Sequence, residues 1–557
     1  MFSDPEKVPF GDLGAIISMN VTEKIIAFNP DVVVEEAQYP TYTVSSDKLH
    51  DLARMLYEKE GYDFLLSLTG VDWGETLGVV YHLSKSESPL DLIVLKTETA
   101  DRENPQLYTV SDIWETANLN EREVFAFYGI RFINHPDMRR LFLQQNWQGF
   151  PFRKDYDSNP ELNSLNLESE DQSDKTTSLF ATEQGIVEQD GEVFGKGEYV
   201  VNIGPQHPAT HGVLHFRTSL DGEIIKKIDP NLGYIHRGIE KMSEGMTYPQ
   251  MLHLTDRLDY LSAHINRHAL CMCVEKAAEI EVSERVQYIR TLMDELTRVA
   301  SHLLGWACMC MDMGALTAFI YGMRDREKII DIFEATCGAR MIMNYNVIGG
   351  VMYDLHPDFQ KQVKAFIPYM RKIMKEYHEI FTGNVIAAER MHGIGILSKE
   401  QAIAYGITGP SGRASGFSCD VRKYQPYGVY DKVRFNEVLR TEGDVFARYY
   451  IRLDEILESL NILEQLVDNI PEGPIQTKVK PIIRIPEGEY FQNVEAARGI
   501  LGVYICSKGD KSPYRLKYRS PGLPLIGIVD LISKNEKIAD LIAIGGSLDY
   551  VVPDIDR

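Results

Sequence analysis

Apolar positions in the first third of the chain recur with two different periods. Leu49, Leu52, Ala53 and Leu56 have helical spacing within residues 47–61, and Gly61 is a typical residue to end such a helix. Short strand-like runs come next at Gly78–Leu83, Asp91–Leu95 and Leu107–Val110. One helix combined with several strands predicts a compact α+β domain.

The later part of the chain changes from a strand pattern to a helical one and back. Strands are predicted at Glu198–Ile203 and Val213–Leu220, with a hairpin turn at Asp221-Gly222. Two long apolar stripes at helical spacing then predict the core of a helical bundle. They consist of Val286, Ile289, Leu292, Leu296, Val299 and Leu303, and of Tyr449, Leu453, Ile456, Leu460, Leu463 and Val467. Short closing strands are predicted at Leu501–Ile505, Lys517–Tyr518 and Ile542–Ile544.

The stretch between these two parts has a different composition. Residues 157–190 are rich in Ser, Asn, Asp and Glu and carry few apolar positions, which is typical of a solvated linker. We therefore predict a small α+β domain at 1–156, an acidic polar linker at 157–195, and a mainly helical domain with small capping β-sheets at 196–557. The predicted fold class is α+β.

The overall charge of the chain excludes some classes of function. A formal net charge of -23 argues against nucleic-acid binding, which calls for clustered Lys and Arg. No apolar run is long enough to suggest a spanning helix, and the first residues lack the pattern of a secretory signal. We expect a cytoplasmic protein that reaches a membrane only by docking on other subunits.

The seven cysteines are arranged in a way that argues against both disulfides and metal sites. Their number is odd, and they are scattered through a chain that looks cytosolic. Cys271 and Cys273, like Cys308 and Cys310, lie two apart in predicted helices, where side chains point in different directions and cannot chelate one ion. No C-x-x-C occurs. We expect neither an iron–sulfur cluster nor a structural zinc in this chain.

Two histidines stand four residues apart in the segment GPQHPATHGVLH, residues 204–215. Because a residue before proline is driven to extended conformations, Gly204-Pro205 and His207-Pro208 favour a loop and disfavour a helix. His207 and His211 are therefore presented from a tight turn. From the residues alone they could be a metal pair or packed histidines, although no third ligand stands nearby in a zincin-like pattern.

This segment resembles the quinone-binding D subunit of respiratory complex I. The resemblance continues through LGYIHRGIEK, DRLDY, MDMGALT, CGARM, DVRKYQPYGVY and the closing DIDR. Residues 114–156 resemble the C subunit of the same complex, with Glu-Arg-Glu, His-Pro-Asp-x-Arg-Arg and Pro-x-Arg-Lys-Asp-Tyr. The chain thus looks like a fusion of the two subunits. The family fold is a helical bundle with small sheets, related to nickel–iron hydrogenase large subunits.

The resemblance assigns roles to individual residues. It implies that His211 and Tyr260 hold the quinone headgroup, with His207 in the same loop, and that Asp312 pairs with His211. A carboxylate behind an imidazole fixes its tautomer and favours the protonated form, which suits a proton donor. Arg237 matches the family arginine near the terminal iron–sulfur cluster of a partner subunit. From the residues alone, an ion pair with Glu240 would equally explain Arg237.

The expected setting is the peripheral arm of a proton-pumping NADH:quinone oxidoreductase. The implied partners are the iron–sulfur subunit with the terminal cluster, other peripheral-arm subunits and the membrane-arm subunit of the quinone channel. The expected place is the cytoplasmic face of the bacterial cell membrane. Arg139, Arg140 and Arg153 of the first domain are interpreted as contacts to a neighbouring subunit. The substrate is menaquinone or ubiquinone. Ile342 stands where many members carry a titrating histidine, which favours a low-potential quinone such as menaquinone.

Two other functions compete with this interpretation. The large subunit of an energy-converting nickel–iron hydrogenase shares the fold, but it needs cysteine pairs near HRGIEKMSEGM and DYVVPDIDR, and neither stretch contains cysteine. A purely structural assembly subunit would not need His211, Tyr260 and Asp312 together.

The cysteine arrangement generates a direct test. We expect the purified chain to contain neither iron nor nickel, because it lacks paired cysteine ligands at usable spacing. Elemental analysis measures this, and either metal at one equivalent per chain would contradict the prediction.

Overall fold

The computed structural model describes residues 21–157, 174–207 and 212–557. The chain divides into two compact units, residues 1–193 and residues 194–557. Each described unit contains both helices and sheets, so the predicted α+β class is confirmed. In the part of the chain described here, none of the helices has the length and apolar character needed to cross a bilayer.

The first unit is built on a five-stranded sheet. Its strands have the spatial order β1-β2-β5-β4-β3, antiparallel except for the parallel pair β2–β5. Three helices accompany it: residues 21–28 (α1), Ser46–Glu60 (α2) and Ala117–Tyr128 (α3). The strands are Val33–Glu36 (β1), Pro40–Thr43 (β2), Phe64–Asp72 (β3), Leu77–Ser84 (β4) and Ile93–Thr99 (β5).

Helix α2 was predicted correctly, whereas strand β3 was not predicted, and both outcomes have a physical reason. Gly61 ends α2 in the left-handed conformation, with φ of 74°, and its N–H donates to the carbonyl of Leu56. Strand β3 has no polar alternation because every one of its residues is buried. A Cβ at Gly70 would come within 2.7 Å of the Tyr128 ring, so this glycine lets α3 lie directly on the strand.

A second sheet corrects the predicted linker. Strands β8 (Lys175–Thr182) and β9 (Gly185–Glu192) form a hairpin within the stretch interpreted as a solvated tether. They join β6 (Gln106–Tyr108) and β7 (Arg131–Ile133) in the order β6-β7-β8-β9. The pairing of β8 with β7 is a backbone interaction at the buried Leu179, opposite Ile133. The polar composition of this stretch therefore gave no sign of a strand. Residues 158–173 of the predicted linker lie outside the described residues.

The arginines that were interpreted as contacts to a neighbouring subunit also form contacts within the first unit. Arg139 is buried and forms a short ion pair with Asp137. Arg140 donates to the carbonyl of Ala126, and Arg153 donates to the carbonyl oxygens of Tyr128 and Arg102. Arg140 and Arg153 therefore fix the backbone next to α3, and a role of the three arginines at a neighbouring subunit stays a prediction.

The second unit begins with small sheets that flank the histidine segment. The order β10-β13-β14 is antiparallel, and β13 and β14 are joined by the predicted turn at Asp221-Gly222. The strands are Tyr199–Ile203 (β10), Gln206–His207 (β11), Gly212–Val213 (β12), His215–Asp221 (β13) and Ile224–Asn231 (β14).

A helical bundle makes up most of this unit, as predicted. The longer helices are Ala263–Ala277 (α6), Glu284–Asp312 (α7), Leu316–Cys337 (α8), Phe359–Tyr377 (α9) and Val445–Leu466 (α14). The shorter ones are Ile239–Glu244 (α4), Tyr248–Thr255 (α5), Val385–Glu389 (α10), Lys399–Ala404 (α11), Gly409–Ala414 (α12), Val421–Tyr424 (α13), Gly522–Gly527 (α15), Val529–Ser533 (α16), Ile538–Leu548 (α17) and Val552–Asp556 (α18). Every residue of the two predicted apolar stripes is buried, and the stripes lie on α7 and on α14 with its C-cap residue Val467.

The remaining regular elements are two sheets and two irregular turns. The strands are Asn346–Val347 (β15), Gly350–Val351 (β16), Gly488–Ala496 (β17), Gly499–Ser507 (β18) and Arg515–Arg519 (β19). A π-helical turn covers His378–Thr382 and a 3₁₀ turn covers Tyr430–Lys432. The predicted strands near 501–505 and 517–518 are confirmed, but residues 542–544 lie inside helix α17. Ala543 and Ile544 are buried and Ile542 is partly buried, and a short apolar run alone does not distinguish a strand from a helix.

Buried ion pairs connect the helices of the bundle. Arg413 on α12 donates to Glu455 on α14 at 2.8 and 3.0 Å and to Glu495 on β17 at 2.7 Å. Glu455 also lies 2.9 Å from the imidazole of His302 on α7. Because all four side chains are buried, each charge is held in the interior only by its partners.

Arg413 provides the prediction for this core. Arg413→Met leaves Glu455 and Glu495 without their shared cation, and breaking a buried pair from one side costs about 3–5 kcal/mol of unfolding free energy. Lys364→Met is the matched control, since its partner Asp468 is exposed and such surface pairs contribute about 0–1 kcal/mol. Denaturant unfolding of the purified chain measures both, and equal losses would show that the Arg413 cluster does not hold the bundle.

Candidate functional site

The histidine segment forms a narrow hairpin. Gln206 and His207 pair with Val213 and Gly212 in antiparallel register. The backbone at His207 is extended, as the proline after it predicts. His211 lies outside the described residues, and so its predicted contacts remain a prediction. Its neighbour in the chain, Gly212, is described.

Gly212 fixes this hairpin against the end of the chain. A Cβ at Gly212 would lie 2.7 Å from Cγ2 of Val552, and its φ of 149° is in the region that favours glycine. Only a glycine allows this close approach. The residue directly after His211 is therefore held against helix α18, within residues 549–557, which we call the C-terminal segment.

Tyr260 lies on the turn between α5 and α6. The side chain is partly buried, and this burial raises the pKa of its hydroxyl, with Asp259 next in effect. Arg498 acts in the opposite direction, and Cys308 and Asp549 add to the rise. A raised pKa keeps the hydroxyl protonated at neutral pH, as a hydrogen-bond donor must be.

Asp312 is the last residue of α7. A Cβ at Gly546 of α17 would lie 3.2 Å from its Oδ2 atom, so the carboxylate lies against this glycine. Cys308 lies one turn earlier on the same face of α7. Burial raises the pKa of Cys308 to about 11, and Asp549 and Asp312 both contribute.

Cys308 is related to both Tyr260 and Asp312. It lies one turn before Asp312 on the same face of α7. It also contributes to the raised pKa of Tyr260, while Asp312 contributes to the raised pKa of Cys308. This arrangement suits a polar headgroup that needs a donor, with a charged group behind it.

Arg237 lies just before α4 and is exposed. The alternative ion pair with Glu240 is wrong, because Glu240 is buried and instead accepts from Arg515 at 2.8 Å and from Arg557 at 3.0 Å. Among the residues the structure describes, Arg237 forms no hydrogen bond or ion pair. The guanidinium is therefore presented at the surface of the unit.

The C-terminal segment also holds the loop that carries Arg237. The two carboxylate oxygens of Asp556 accept hydrogen bonds from the backbone N–H groups of Gly233 and Ile235, both at 3.0 Å. His236 contacts the backbone carbonyl of Asp556 through Nδ1. One short segment therefore positions the histidine hairpin, the arginine loop and the neighbours of Asp312.

Sequence reasoning missed the buried residues that connect the segments carrying the candidate site residues. Arg498 contacts Asp259, Ser301 and Asp549, and no local pattern around it suggests a site. The closing motif DIDR carries a signal only through the family resemblance. Its sequence could not indicate that Asp556 reaches a loop more than three hundred residues away, because such pairings have no periodicity.

No cluster of three or more His, Cys, Asp or Glu side chains with metal-binding geometry occurs within residues 21–157, 174–207 and 212–557. All seven cysteines lie in this part of the chain and are free thiols, six of them buried. Cys271 and Cys273 lie on α6, and Cys308 and Cys310 on α7, so the predicted helical context of both pairs is confirmed.

Comparison with known proteins relates both units to one enzyme. The family described as respiratory-chain NADH dehydrogenase, 49 Kd subunit, matches residues 312–557, and the corresponding 30 Kd subunit family matches residues 42–161. The C/D subunit of the NADH-quinone oxidoreductase of Phocaeicola vulgatus is 61% identical over 516 residues, covering 92% of this chain and 99% of that protein.

Two further relatives cover different shares of the chain. The NADH-quinone oxidoreductase C/D subunit of Bacteroides fragilis is 61% identical over 537 residues, which is 94% of this chain and 100% of that protein. The NADH-quinone oxidoreductase D subunit of Geobacillus kaustophilus is 46% identical over 360 residues, which is 64% of this chain and 98% of that protein. Similarity thus extends both to fused proteins and to a separate D subunit.

Asp554 generates a prediction about the pH dependence of the C-terminal segment. Burial raises the pKa of its carboxyl from 3.8 to about 6, and Asp259 adds to the rise. Between these two pH values the folded state binds more protons than the unfolded state. Stability is therefore gained as pH falls through this window and lost as pH rises through it.

We expect Asp554→Asn to remove most of this dependence. Ser520 and Gly522 both donate to the same oxygen, Oδ2, so an amide oxygen in its place keeps both hydrogen bonds. The variant should melt at a higher temperature than the wild type at pH 7 and at about the same temperature near pH 4. Melting curves across this range measure the difference, with the exposed Asp510→Asn as control. A wild-type pH profile retained in Asp554→Asn would contradict the assignment.

Proposed function

Because the chain belongs to the family of C/D subunits of NADH-quinone oxidoreductase, we propose that its second unit forms, with a partner iron–sulfur subunit, the pocket in which quinone is reduced. Reduction to quinol adds two electrons and two protons. In this proposal His211 and Tyr260 hold the two carbonyl oxygens and supply protons, with His207 in the same hairpin, and Asp312 pairs with His211. The position of Cys308, which shares a face of α7 with Asp312 and contributes to the raised pKa of Tyr260, is the observation that supports it best.

Physical chemistry supports these residue types in these places. A tyrosine whose pKa is raised by burial remains a hydrogen-bond donor at neutral pH, and a histidine titrates near neutrality. Asp312 would favour the protonated imidazole and so prepare it to give up a proton. The Gly212–Val552 contact holds the residue after His211 against the C-terminal segment, whose first residue, Asp549, also contributes to the raised pKa of Tyr260.

The electrons reach this pocket from outside the chain in our proposal. Arg237 would lie beside the terminal iron–sulfur cluster of the partner subunit, where a cation stabilises the reduced cluster. Its exposure and the absence of a partner among the described residues support this role. Further partners would be the other peripheral-arm subunits and the membrane-arm subunit that forms the quinone channel. The complex would lie on the cytoplasmic face of the cell membrane and pump protons.

The type of quinone follows from Ile342 in this proposal. Many family members have a histidine at this position, and isoleucine cannot titrate. A cluster that lacks this proton coupling suits a low-potential acceptor, so we favour menaquinone over ubiquinone. Quinone extraction from the source membranes tests this directly.

The proposed domain assignment places a C-like domain at 1–156 and a D-like domain at 196–557. The positions of the two family matches support it. A shared ancestry with nickel–iron hydrogenase large subunits stays a proposal based on resemblance. A hydrogenase activity is disfavoured, because neither residues 232–246 nor the C-terminal segment contains a cysteine that could hold nickel.

Tyr260→Phe is the variant that tests the pocket. It removes one hydrogen-bond donor and keeps the shape of the ring, and the loss of such a bond costs about 1–3 kcal/mol, or roughly tenfold to a hundredfold in kcat/KM. His211→Ala should be more severe, because it also leaves Asp312 without its proposed partner in a partly buried place. Both are measured as quinone reductase activity of the assembled complex.

Two controls accompany these variants. Electron transfer from the input side to an artificial acceptor should stay at the wild-type rate, because the residues changed lie after the upstream carriers. Tyr353→Phe, at an exposed tyrosine, should leave quinone reduction unchanged. Wild-type quinone reduction by both Tyr260→Phe and His211→Ala, in normally assembled complex, would refute the proposed site and favour a structural assembly role.

A further inference from the structure

Arg498 is a buried arginine that contacts Asp259, the residue before Tyr260. It lies in the turn between β17 and β18, directly before Gly499, and the residue is 1% exposed. Its guanidinium donates to Oδ2 of Asp259 at 2.8 Å, to Oγ of Ser301 at 2.8 Å, and to Asp549 twice, at 2.7 Å to the backbone carbonyl and 3.1 Å to Oδ1. One side chain thus joins three separate segments of the chain.

Each of these segments carries or contacts a group of the site. Asp259 directly precedes Tyr260 and also accepts from the N–H of Leu261 at 3.0 Å, which fixes the turn on both sides of the tyrosine. Ser301 belongs to α7, the helix that ends at Asp312. Asp549 begins the C-terminal segment. The guanidinium therefore sets the distances among the elements that surround Tyr260 and Asp312.

A glycine on α7 makes room for this arrangement. A Cβ at Gly305 would lie 3.0 Å from both carboxylate oxygens of Asp549, so the carboxylate is seated directly against the helix. Asp549 itself has a left-handed backbone, with φ of 56°, which is uncommon outside glycine. Its two hydrogen bonds to Arg498 hold this backbone in place, and Arg452 approaches the second oxygen at 3.7 Å.

The charges of Asp259, Asp549 and Arg498 also affect the pKa of Tyr260. Asp259 and Asp549 raise the pKa of the tyrosine, and Arg498 lowers it. Because Arg498 is bonded to both carboxylates, removal of the guanidinium would leave Asp259 without its cation and Asp549 with only the more distant Arg452, so more negative charge would act on Tyr260. Orientation and acidity of the hydroxyl would change together.

We infer that Arg498 is a positioning residue for quinone reduction, which acts through Tyr260 by clamping Asp259 and Asp549. The inference rests on the proposed function of Tyr260 as a ligand of the headgroup. It adds that the hydroxyl works only when the planar fork of the guanidinium bonds both carboxylates and Ser301 at once. A point charge such as lysine cannot bond all of them.

Arg290 supplies a matched control in the same unit. It is also 1% exposed, and it donates to both oxygens of Glu275 at 2.7 and 2.8 Å and to the carbonyls of Val347 and Gly350. Its partners belong to α6, to β16 and to the strand β15, and they include no group of the candidate site. A buried arginine with a purely structural role is therefore available for comparison.

The test is a double-mutant cycle in the assembled complex. Arg498→Lys, Tyr260→Phe and the combination are compared for kcat and KM of quinone reduction, with transfer to an artificial acceptor as the input-side control. We expect Arg498→Lys alone to lower kcat/KM by roughly tenfold to a hundredfold, and by less than about threefold when Tyr260 is already Phe, because the two changes disable the same hydroxyl. Arg290→Lys should leave kcat and KM at wild-type values even where it lowers the melting temperature.

The outcomes separate the two proposals. Wild-type kinetics of Tyr260→Phe would remove the role of Tyr260 on which this inference rests, and together with wild-type kinetics of His211→Ala they would refute the proposed function. An impaired Tyr260→Phe combined with an equal loss from Arg498→Lys in both backgrounds would overturn the role of Arg498 and leave the function standing. Arg498→Met, which removes the charge, should be worse than Arg498→Lys in the Tyr260 background. If it does not assemble, the lysine cycle alone decides.

Discussion

A charge that is removed from water must be neutralised by a partner at hydrogen-bond distance, and this constraint organises the second unit. Helix α7 carries an apolar stripe on one side and buried ionisable groups on another, among them Glu295, Arg298 and His302. Two of them are matched from other elements: Arg422 reaches Glu295, and Glu455 reaches His302. Apolar packing brings the helices together, and the charge partners select one relative placement.

Buried charges that are neutralised by partners from other elements also occur next to the candidate site, near the end of α7. Asp259, Arg498 and Asp549 satisfy one another as the groups deeper in the bundle do. The difference is that their neighbours, Tyr260 and Asp312, are only partly buried. The rigid interior thus supplies the support, and the groups available for chemistry stand at its edge. This is the arrangement that a site for proton delivery needs, because the donors must be held and must also be reachable.

Local periodicity made part of the fold predictable from the sequence. The stripes of α7 and α14, the end of α2 at Gly61 and the hairpin turn at Asp221-Gly222 all depend on spacing of three to four residues or on turn chemistry, and all are confirmed. The strand assigned to residues 542–544 was wrong, because three consecutive apolar residues are too short a run to show whether the period is that of a strand or of a helix. The hairpin β8–β9 was hidden for the opposite reason, since its strands are polar and depend on backbone pairing.

For the site, the family resemblance identified the candidate reactive residues, and the structure identified the residues that hold them in place. Tyr260 and Asp312 are both partly buried, while His211 falls outside the described residues, so their grouping into one site stays a prediction. Arg498 and Asp549 could not be recognised from sequence, because their significance lies in contacts between positions that are far apart along the chain.

The hydrogen bonds between Asp556 and residues 233–235 have a consequence for the order in which the protein forms. They join positions 321 and 323 residues apart, so they cannot exist until Asp556 has left the ribosome. Contacts of such sequence separation form late and slowly compared with those inside a helix pair. During synthesis the bundle helices can fold first, whereas the loop with Arg237 and the hairpin that precedes it must wait for residues 549–557. A nascent chain that stops before residue 549 would therefore have a folded interior and an unassembled site.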